Sequence, residues 1–345
     1  MLDWRRSYAS TWRVYAVNPA TWADADPISG VSSISVTRDA SGAAPLIDSG
    51  SISVTNAPEL PRGYYRIVMY ATQDGTTDRI DVATLEFVRM KGSVNYGVPT
   101  DSITGYSVLY PASTLDLDPG QYAPAGANGA EYAASLLRLN CIAPVIVDGP
   151  GFALATNVVP SGDVTALQLA WEVLAAGGYT MQVHGDGEIH ILPLPTEPAL
   201  ELDAVNAALV RPGVDYTDTY DGIPNRLRVT EGSMLAVAVN DSIESPTSRP
   251  SVGYWIDASE SNPVRTEGET LDAYALRSLH ERSVVTQERT YKRKWWPDVY
   301  PGDIARGSIA SVRLDGDLRI TRQALACGAG IEVTERAALE VSTWT

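Results

Sequence analysis

With 345 residues, 44% of them hydrophobic, the chain can bury two or three cores on a prior of roughly 100–200 residues per domain, and disorder is not its default. Its 42 acidic and 26 basic residues give a net charge of −16, which repels phosphate backbones and argues against a nucleic-acid-binding face. The aromatics are 17 Tyr and 8 Trp against 2 Phe, so most carry a polar handle suited to half-buried surfaces and interfaces.

The opening MLDWRRSYASTWRVYAV is positively charged but has no continuous apolar core, so no signal peptide is expected. No run reaches the roughly 18 apolar residues of a membrane helix. Residues 1 to about 120 read as β. Trp12 and Val14 alternate with Arg13 and Tyr15, and the pattern recurs at Tyr65, Ile67 and Met69, at Leu85 and Phe87, and at Tyr106 and Val108. The pentapeptide SISVT occurs at Ser33–Thr37 and again at Ser51–Thr55, each copy with Ile and Val on one face and Ser and Thr on the other. Two copies are too few for a solenoid, so neighbouring strands of one sheet are expected. Turn signals at Asn18-Pro19, Ser41-Gly42, Asp74-Gly75 and Tyr96-Gly97 punctuate a segment that reads as a barrel or sandwich.

From Asp116 to Asn128 the composition turns to Pro, Gly, Ala and Asn, a first boundary. Asn128 and Glu131 then make a capping-box-like pair before a short helix with Tyr132, Ala133, Leu136 and Leu137 on one face, ended by Pro144. The stretch Asp163–Pro195 predicts a helix, a tight stop and a hairpin. Ala166, Leu169, Ala170, Val173 and Leu174 share a stripe, Asp163 is placed as the cap, and Gly177 as the left-handed stop. Tyr179, Met181 and Val183 then alternate, Gly185-Asp186-Gly187 turns, and Glu188 to Leu192 returns. Pro193, Pro195 and Pro198 mark a second boundary.

The last third returns to strands at Leu227 and Val229, Met234 to Val239 and Tyr254 to Ile256. One helix interrupts them, with Thr266 and Glu269 as its expected cap and Leu271, Tyr274, Ala275 and Leu279 on one face. Val284 to Lys294 follows, extended and basic, ending at Trp295-Trp296-Pro297. Beyond the Tyr300-Pro301-Gly302-Asp303 turn, strands are expected over Ile304 to Leu314, Leu318 to Leu325 and Ile331 to Trp344, separated by Asp315-Gly316 and Gly328-Ala329-Gly330.

Chemistry is sparse. His184 and His190, with Asp186 and Glu188 between them, have the donor types of a zinc or manganese site, but the turn leaves the two histidines out of direct register and exposed hairpin residues are the better reading. Asp215, Asp218 and Asp221 could face calcium, yet they lack the spacing of a known loop. No nucleophile elbow, phosphate loop or dinucleotide fingerprint occurs, and neither Cys141 nor Cys327 has a partner histidine or a metal or redox spacing, which fits a reducing site of synthesis. His280 reads as a surface residue of the last-third helix. Lys292, Arg293 and Lys294 beside Trp295 and Trp296 could grip a nucleic-acid strand, but with the overall charge opposed they read as an interface strand. No catalytic, cofactor-binding or metal-binding residue is assigned, and a non-enzymatic protein is expected.

Three stretches resemble the baseplate hub proteins of tailed bacteriophages, a family shared with the N-terminal part of siphophage tail-associated proteins and the hub portion of type VI secretion spike proteins. They are TALQLAWEVLAAGGYTMQVHGDGEIHILP, YDGIPNRLRVTEG (Tyr220–Gly232), similar to the strand that opens the second barrel of such hubs, and VYPGDIARGSI (Val299–Ile309), similar to the turn entering a late barrel strand. The resemblance implies a mainly β fold with α+β insertions. A first β-barrel domain would span residues 1–120 and a small α/β domain 121–200. A second β-barrel domain would span 201–345, with a helical insertion at about 258–292. It also implies a homotrimer whose six barrels form a pseudo-sixfold ring in the virion tail, made in the bacterial cytoplasm. The ring would contact the tail tube or distal tail protein, the tape measure protein and tail fibre or spike proteins, with DNA only in transit and no membrane. No fibre-like or peptidoglycan-degrading extension is seen before Thr345, so no wall-degrading activity is expected of it. Two rival readings are a polysaccharide-degrading enzyme with paired carboxylates and a glycan-binding adhesin using exposed Trp and Tyr.

Overall fold

The computed structural model describes every residue except 1, 5, 43, 57–59, 96–97, 119, 160–163, 204–209, 329–330 and 343–345. Seven strands come first: β1 (Ala9–Val17), β2 (Asp24–Pro27), β3 (Val31–Asp39), β4 (Ile47–Thr55), β5 (Gly63–Gln73), β6 (Thr76–Asn95) and β7 (Val98–Ser107). A short helix α1 (Tyr110–Thr114) leads to α2 (Gly129–Asn140), β8 (Val145–Val147), α3 (Ala166–Ala176), β9 (Tyr179–Val183) and β10 (Ile189–Pro193). There follow β11 (Pro198–Leu202), β12 (Val210–Thr219), β13 (Arg226–Glu231), β14 (Met234–Val239), α4 (Arg249–Val252), β15 (Asp257–Ser261) and α5 (Leu271–Arg282). The chain finishes with β16 (Val284–Lys294), β17 (Ile304–Ile309), β18 (Leu314–Cys327) and β19 (Ile331–Ser342). The fold is mainly β with helical insertions, as expected.

Strands from both ends of the chain form a single 13-stranded sheet in the order β12-β16-β19-β18-β3-β4-β7-β6-β5-β1-β2, with β17 on β18 and β11 on β17. The junction is β18. Its first half, Leu314–Arg319, pairs with β17, and its second half, Arg322–Cys327, pairs with β3. At 14 residues and about 3.3 Å per residue it reaches about 46 Å, long enough to serve both neighbours. The two SISVT copies are adjacent antiparallel strands, Ile34 opposite Ile52 and Ser35 opposite Ser51, with the serine hydroxyls 2.9 Å apart. Their Ile and Val side chains enter a core with Val14, Ile67, Met69 and Leu85, which Trp295, Leu325, Ile331 and Val333 from the far end of the chain complete.

The α/β unit packs α2 and α3 on the sheet β8-β10-β9, and Leu169, Ala170, Val173 and Leu174 are buried as the 3.6-residue period requires. Its cap differs from expectation. Thr165 and Gln168 form a reciprocal capping box at the start of α3, and Asp163 lies outside the described residues. The left-handed stop is Gly178 at φ +66°, one residue later than expected, while Gly177 is at φ −98°. Gly177 is small because a Cβ there would lie 2.2 Å from the Phe152 ring. Asn128 caps α2 as expected, accepting from the Ala130 and Glu131 N–H groups.

Other local expectations shift. β13, β14 and β15 form their own three-stranded sheet, on which Tyr274, Ala275 and Leu279 of α5 pack, so the Tyr220–Gly232 strand opens this small unit and β12 flanks β16 instead. The strand expected at Tyr254–Ile256 begins at Asp257. α5 is capped by Thr270, whose hydroxyl accepts from Ala273 N–H, because Glu269 is drawn to Arg277 at 2.8 Å, and Thr266 instead bridges to Leu154. The helix ends at Arg282, and β16 takes over from Val284. Asp315-Gly316 is not a turn but lies inside β18 opposite Ser308 and Gly307; the chain reverses through Ala310–Arg313, with Arg313 at φ +59°. The expected turn at Tyr96-Gly97 and the terminal Trp344 lie outside the described residues.

Candidate functional site

The β9–β10 hairpin is seated between the two β regions, and polar groups do the seating. Trp22 donates its indole N–H to the Asp186 carbonyl at 2.9 Å, and Arg66 donates to the same oxygen at 2.8 Å. Thr84 donates its hydroxyl to the Gly185 carbonyl at 2.9 Å, while Asp24 holds Arg66 at 2.8 Å. The turn sits this deep because its first residue is glycine: a Cβ on Gly185 would lie 1.8 Å from the Asp81 carbonyl oxygen. Trp22 adopts φ +56°, a conformation that costs a bulky residue about 1–3 kcal/mol and persists only where surrounding contacts impose it. Gly185→Ala is therefore expected to lose about 2–3 kcal/mol in urea unfolding, since the obstructing atom is backbone. A loss below about 0.5 kcal/mol would show that the turn is not seated.

The other side of the hairpin meets the C-terminal region. Gln182 donates to Asp303 Oδ1 at 2.8 Å, and Asp303 Oδ2 accepts from the Tyr300 N–H at 2.8 Å, so the Pro-Gly-Asp turn is locked to the hairpin. Burial pushes the Asp303 carboxyl up in spite of these donors. The ladder sets His190 opposite Gln182, so the two histidines are indeed not directly opposed. They meet on the diagonal, rings 3.8 Å apart and 15° from parallel. His184 then stacks on Tyr300 at 4.7 Å, and the Arg38 guanidinium lies 4.6 Å over that same tyrosine ring. At the outer end His190 Nδ1 is 2.7 Å from Asp148 and Nε2 is 3.5 Å from Glu188. Rings stacked face to face aim their nitrogen lone pairs along parallel planes, not at a common point, which is the wrong geometry for one ion. Among the described residues no three His, Cys, Asp or Glu side chains are grouped to hold a metal.

Arg38 continues the column into the sheet. Cross-strand register places Tyr291, Glu335, Gln323, Arg38 and Asp48 side by side across β16, β19, β18, β3 and β4. All five are at most 1% exposed, so a polar row runs beneath the junction of the two β regions. At one end Arg293 grips Glu335 through two bonds of 2.8 and 2.7 Å, and Tyr291 and Gln323 donate to the same carboxylate. At the other end Arg38 donates to the Val82 carbonyl at 2.6 Å and stands 3.8 Å from Asp48, whose two oxygens accept no hydrogen bond among the described residues. Burial pushes the Asp48 carboxyl up to about 7, against the pull of Arg38.

This placement takes Arg293 and Trp295 out of the interface expected of the Lys292–Lys294 strand. Arg293 is fully buried inside the subunit, Lys292 is exposed and paired with Glu332 at 3.3 Å, and Trp295 is wholly inside the core, edge-on to Trp4. Asp215 and Asp218 stand an odd number of residues apart on β12 and point to opposite faces, and Asp218 is bound to Arg289 at 2.7 Å. His280 lies on the exposed side of α5. Cys141 is buried and Cys327 half-buried, both as free thiols. A cleft of about 1020 Å³ opens between α3 and the β13–β15 unit. Three carboxylates that line it are engaged, Glu231 by Arg265, Glu260 by Tyr274 and Arg282, and Glu281 by Arg277. A fourth, Glu172, is pushed up by burial. No helix among the described residues is long and apolar enough to cross a membrane.

No protein-family model matches the chain, and no curated protein matches it either. Solved structures do share its fold. The tail protein from Neisseria meningitidis MC58 is 13% identical, with 98% of each chain covered and a TM-score of 0.68. The 43 kDa tail protein of prophage MuSo2 from Shewanella oneidensis is 12% identical, covering 94% of this chain and 97% of its own, with a TM-score of 0.65. Prophage tail protein gp18 from Listeria monocytogenes EGD-e is 10% identical over 94% of both chains, with a TM-score of 0.55. At such identities the likeness is one of fold.

Proposed function

We propose that this chain is a structural hub of a phage or prophage tail tip, three copies forming a pseudo-sixfold ring that closes the tail tube, joins it to the tip and leaves a passage for DNA. The observation that carries this reading is the end-to-end agreement of fold with a tail protein, 98% of either chain. The architecture supports it. Two β regions joined through β18 in one sheet would let each subunit fill two of the six positions of a threefold ring that matches a sixfold tube. The outer edge of β12 pairs with no strand among the described residues and carries Tyr216 at 52% exposure, and a free edge of this kind calls for a covering partner. The partners of this reading are a tail tube or distal tail protein, the tape measure protein and fibre or spike proteins. A net charge of −16 suits a passage whose walls do not hold phosphate.

Light scattering on the purified protein is expected to give three chain masses at high concentration or when tail partners are added. A monomer at every concentration, together with one copy per purified tail, would overturn the ring.

A further inference from the structure

The column Arg38, Tyr300, His184 and His190 takes one member from β3, one from the turn before β17 and two from the hairpin, so three parts of the molecule meet in one stack. We propose that this column is a proton-operated joint, which holds the hairpin between the two β regions while His184 is neutral and releases it when His184 takes up a proton.

The argument begins with what faces His184. His190 lies against one face of its ring and Tyr300 against the other, and the ring makes no hydrogen bond among the described residues. The cation Arg38 stands behind Tyr300, and Asp148 and Glu188 are engaged with His190. Asp186, on the hairpin turn, is the other charged group near the ring. A proton on His184 would thus be sandwiched between an imidazole and a phenol, with no carboxylate bonded to it and a guanidinium one ring away. Burial first, and then His190, push its pKa down to about 4, with Arg38 adding to the effect and Asp186 and Asp148 opposing it. Asp48, the carboxyl beside Arg38, favours its neutral form below about pH 7, so in acid it no longer offsets the Arg38 charge.

Backbone strain concentrates at the same place. Ile47, next to Asp48, is a β-branched residue held at φ +67°, and the Asp48 N–H closes a tight turn onto the Leu46 carbonyl at 2.9 Å. Trp22, which grips the hairpin turn, is strained in the same sense. Both segments hold a conformation that docking enforces and undocking would relax.

The sign follows from linkage. A histidine depressed from 6.5 to about 4 contributes stability that is complete above pH 6.5 and is lost as pH falls through 4. Between pH 6.5 and 4.5 the population of released hairpin should rise on the order of thirtyfold. Asp48 acts oppositely, but on the sheet that holds β4 and not on the hairpin: its contribution is full below pH 3.8 and is gone by about pH 7, and normalising to strand residues of the same sheet removes it.

Hydrogen exchange read by mass spectrometry on residues 179–193, normalised to residues 67–71 of the same sample, tests the joint. In the wild type the normalised hairpin exchange is expected to rise on acidification from pH 6.5 to 4.5. In His184→Phe, which keeps a stacking ring that cannot titrate, it should stay flat. Asp48→Asn, which leaves the column's rings in place, should keep the normalised acid response. An equal acid response in wild type and His184→Phe overturns the proposal. Should that variant fail to fold, NMR titration of ring-labelled histidine in the wild type decides: a His184 midpoint near 4 with hairpin shifts moving alongside supports the joint, and a midpoint near 6.5 overturns it.

Discussion

Arg293→Ala is expected to cost about 3–5 kcal/mol in urea unfolding, while Lys292→Glu, one residue before it, costs less than about 1 kcal/mol. The two residues look alike in sequence and differ in everything that matters energetically. Arg293 and Glu335 have no exposed surface, and the guanidinium holds the carboxylate through two bonds of 2.8 and 2.7 Å. Removing the arginine leaves a buried carboxylate with only Tyr291 and Gln323 as donors, far short of a full charge partner. Burial alone would push Glu335 up, but Arg293, Gln323 and Tyr291 together hold it below its ordinary value. That sign means the contribution is present above the ordinary glutamate range and is lost as pH falls through the depressed value, so the wild type should show an acid limb that Arg293→Ala lacks. Lys292, by contrast, is 56% exposed in its side chain and makes one pair with Glu332, which solvent screens. Replacing Arg293 and Glu335 together by Met and Leu is expected to recover much of the loss, because no charge is then left alone. An Arg293→Ala variant within about 1 kcal/mol of wild type would show that the pair is not buried as described.

Local elements were the legible part of this chain. Periodicity located α3 and α5 and the alternating SISVT strands, because each signal lies within a dozen neighbouring residues. Caps were less readable: Thr165 and Thr270 won over more distant candidates because their own Gln168 and Ala273 stand at the right offset once the helix starts where it does. The seated hairpin and the polar row could not be read, since their partners are far apart in sequence. Arg38 meets Gln323 across a ladder, and Trp22 meets Asp186 across the whole α/β unit. One clue was present. Tyr291, Arg293 and Trp295 fall at period two, so a strand that buries the aromatics must also bury the arginine. The flanking Lys292 and Lys294 mask that pattern, and the pairing with Glu335 supplies the counter-charge that makes burial tolerable.

Trp295→Ala is expected to cost about 3–5 kcal/mol, and a chain ended after residue 200 is expected to show no cooperative melting of its strands. Both follow from a core that the two ends of the chain build together. Trp295 is 0% exposed and sits 6.0 Å from Trp4, among Val14, Ile52, Ile67 and Leu85 from the first region. Leu325, Ile331 and Val333 lie in the same cluster, and β3 has β18 as its neighbour on the side away from β4. Trp12 donates its indole N–H to the Gly328 carbonyl at 2.8 Å and the Ser10 hydroxyl donates to it at 3.2 Å, so β1 too is laced to the far end. Removing residues beyond 200 would strip four large side chains from this core and leave the edge of β3 open to other chains. Trp295→Phe refines the test. The indole N–H donates to no partner among the described residues, so phenylalanine removes a buried donor as well as some volume, and its cost should be about 1–2 kcal/mol. Differential scanning calorimetry of the shortened chain separates the alternatives. A single cooperative transition from residues 1–200 alone would mean that the first β region closes its own core, and Trp295→Ala would then be expected to unfold the C-terminal strands while leaving the rest of the molecule intact.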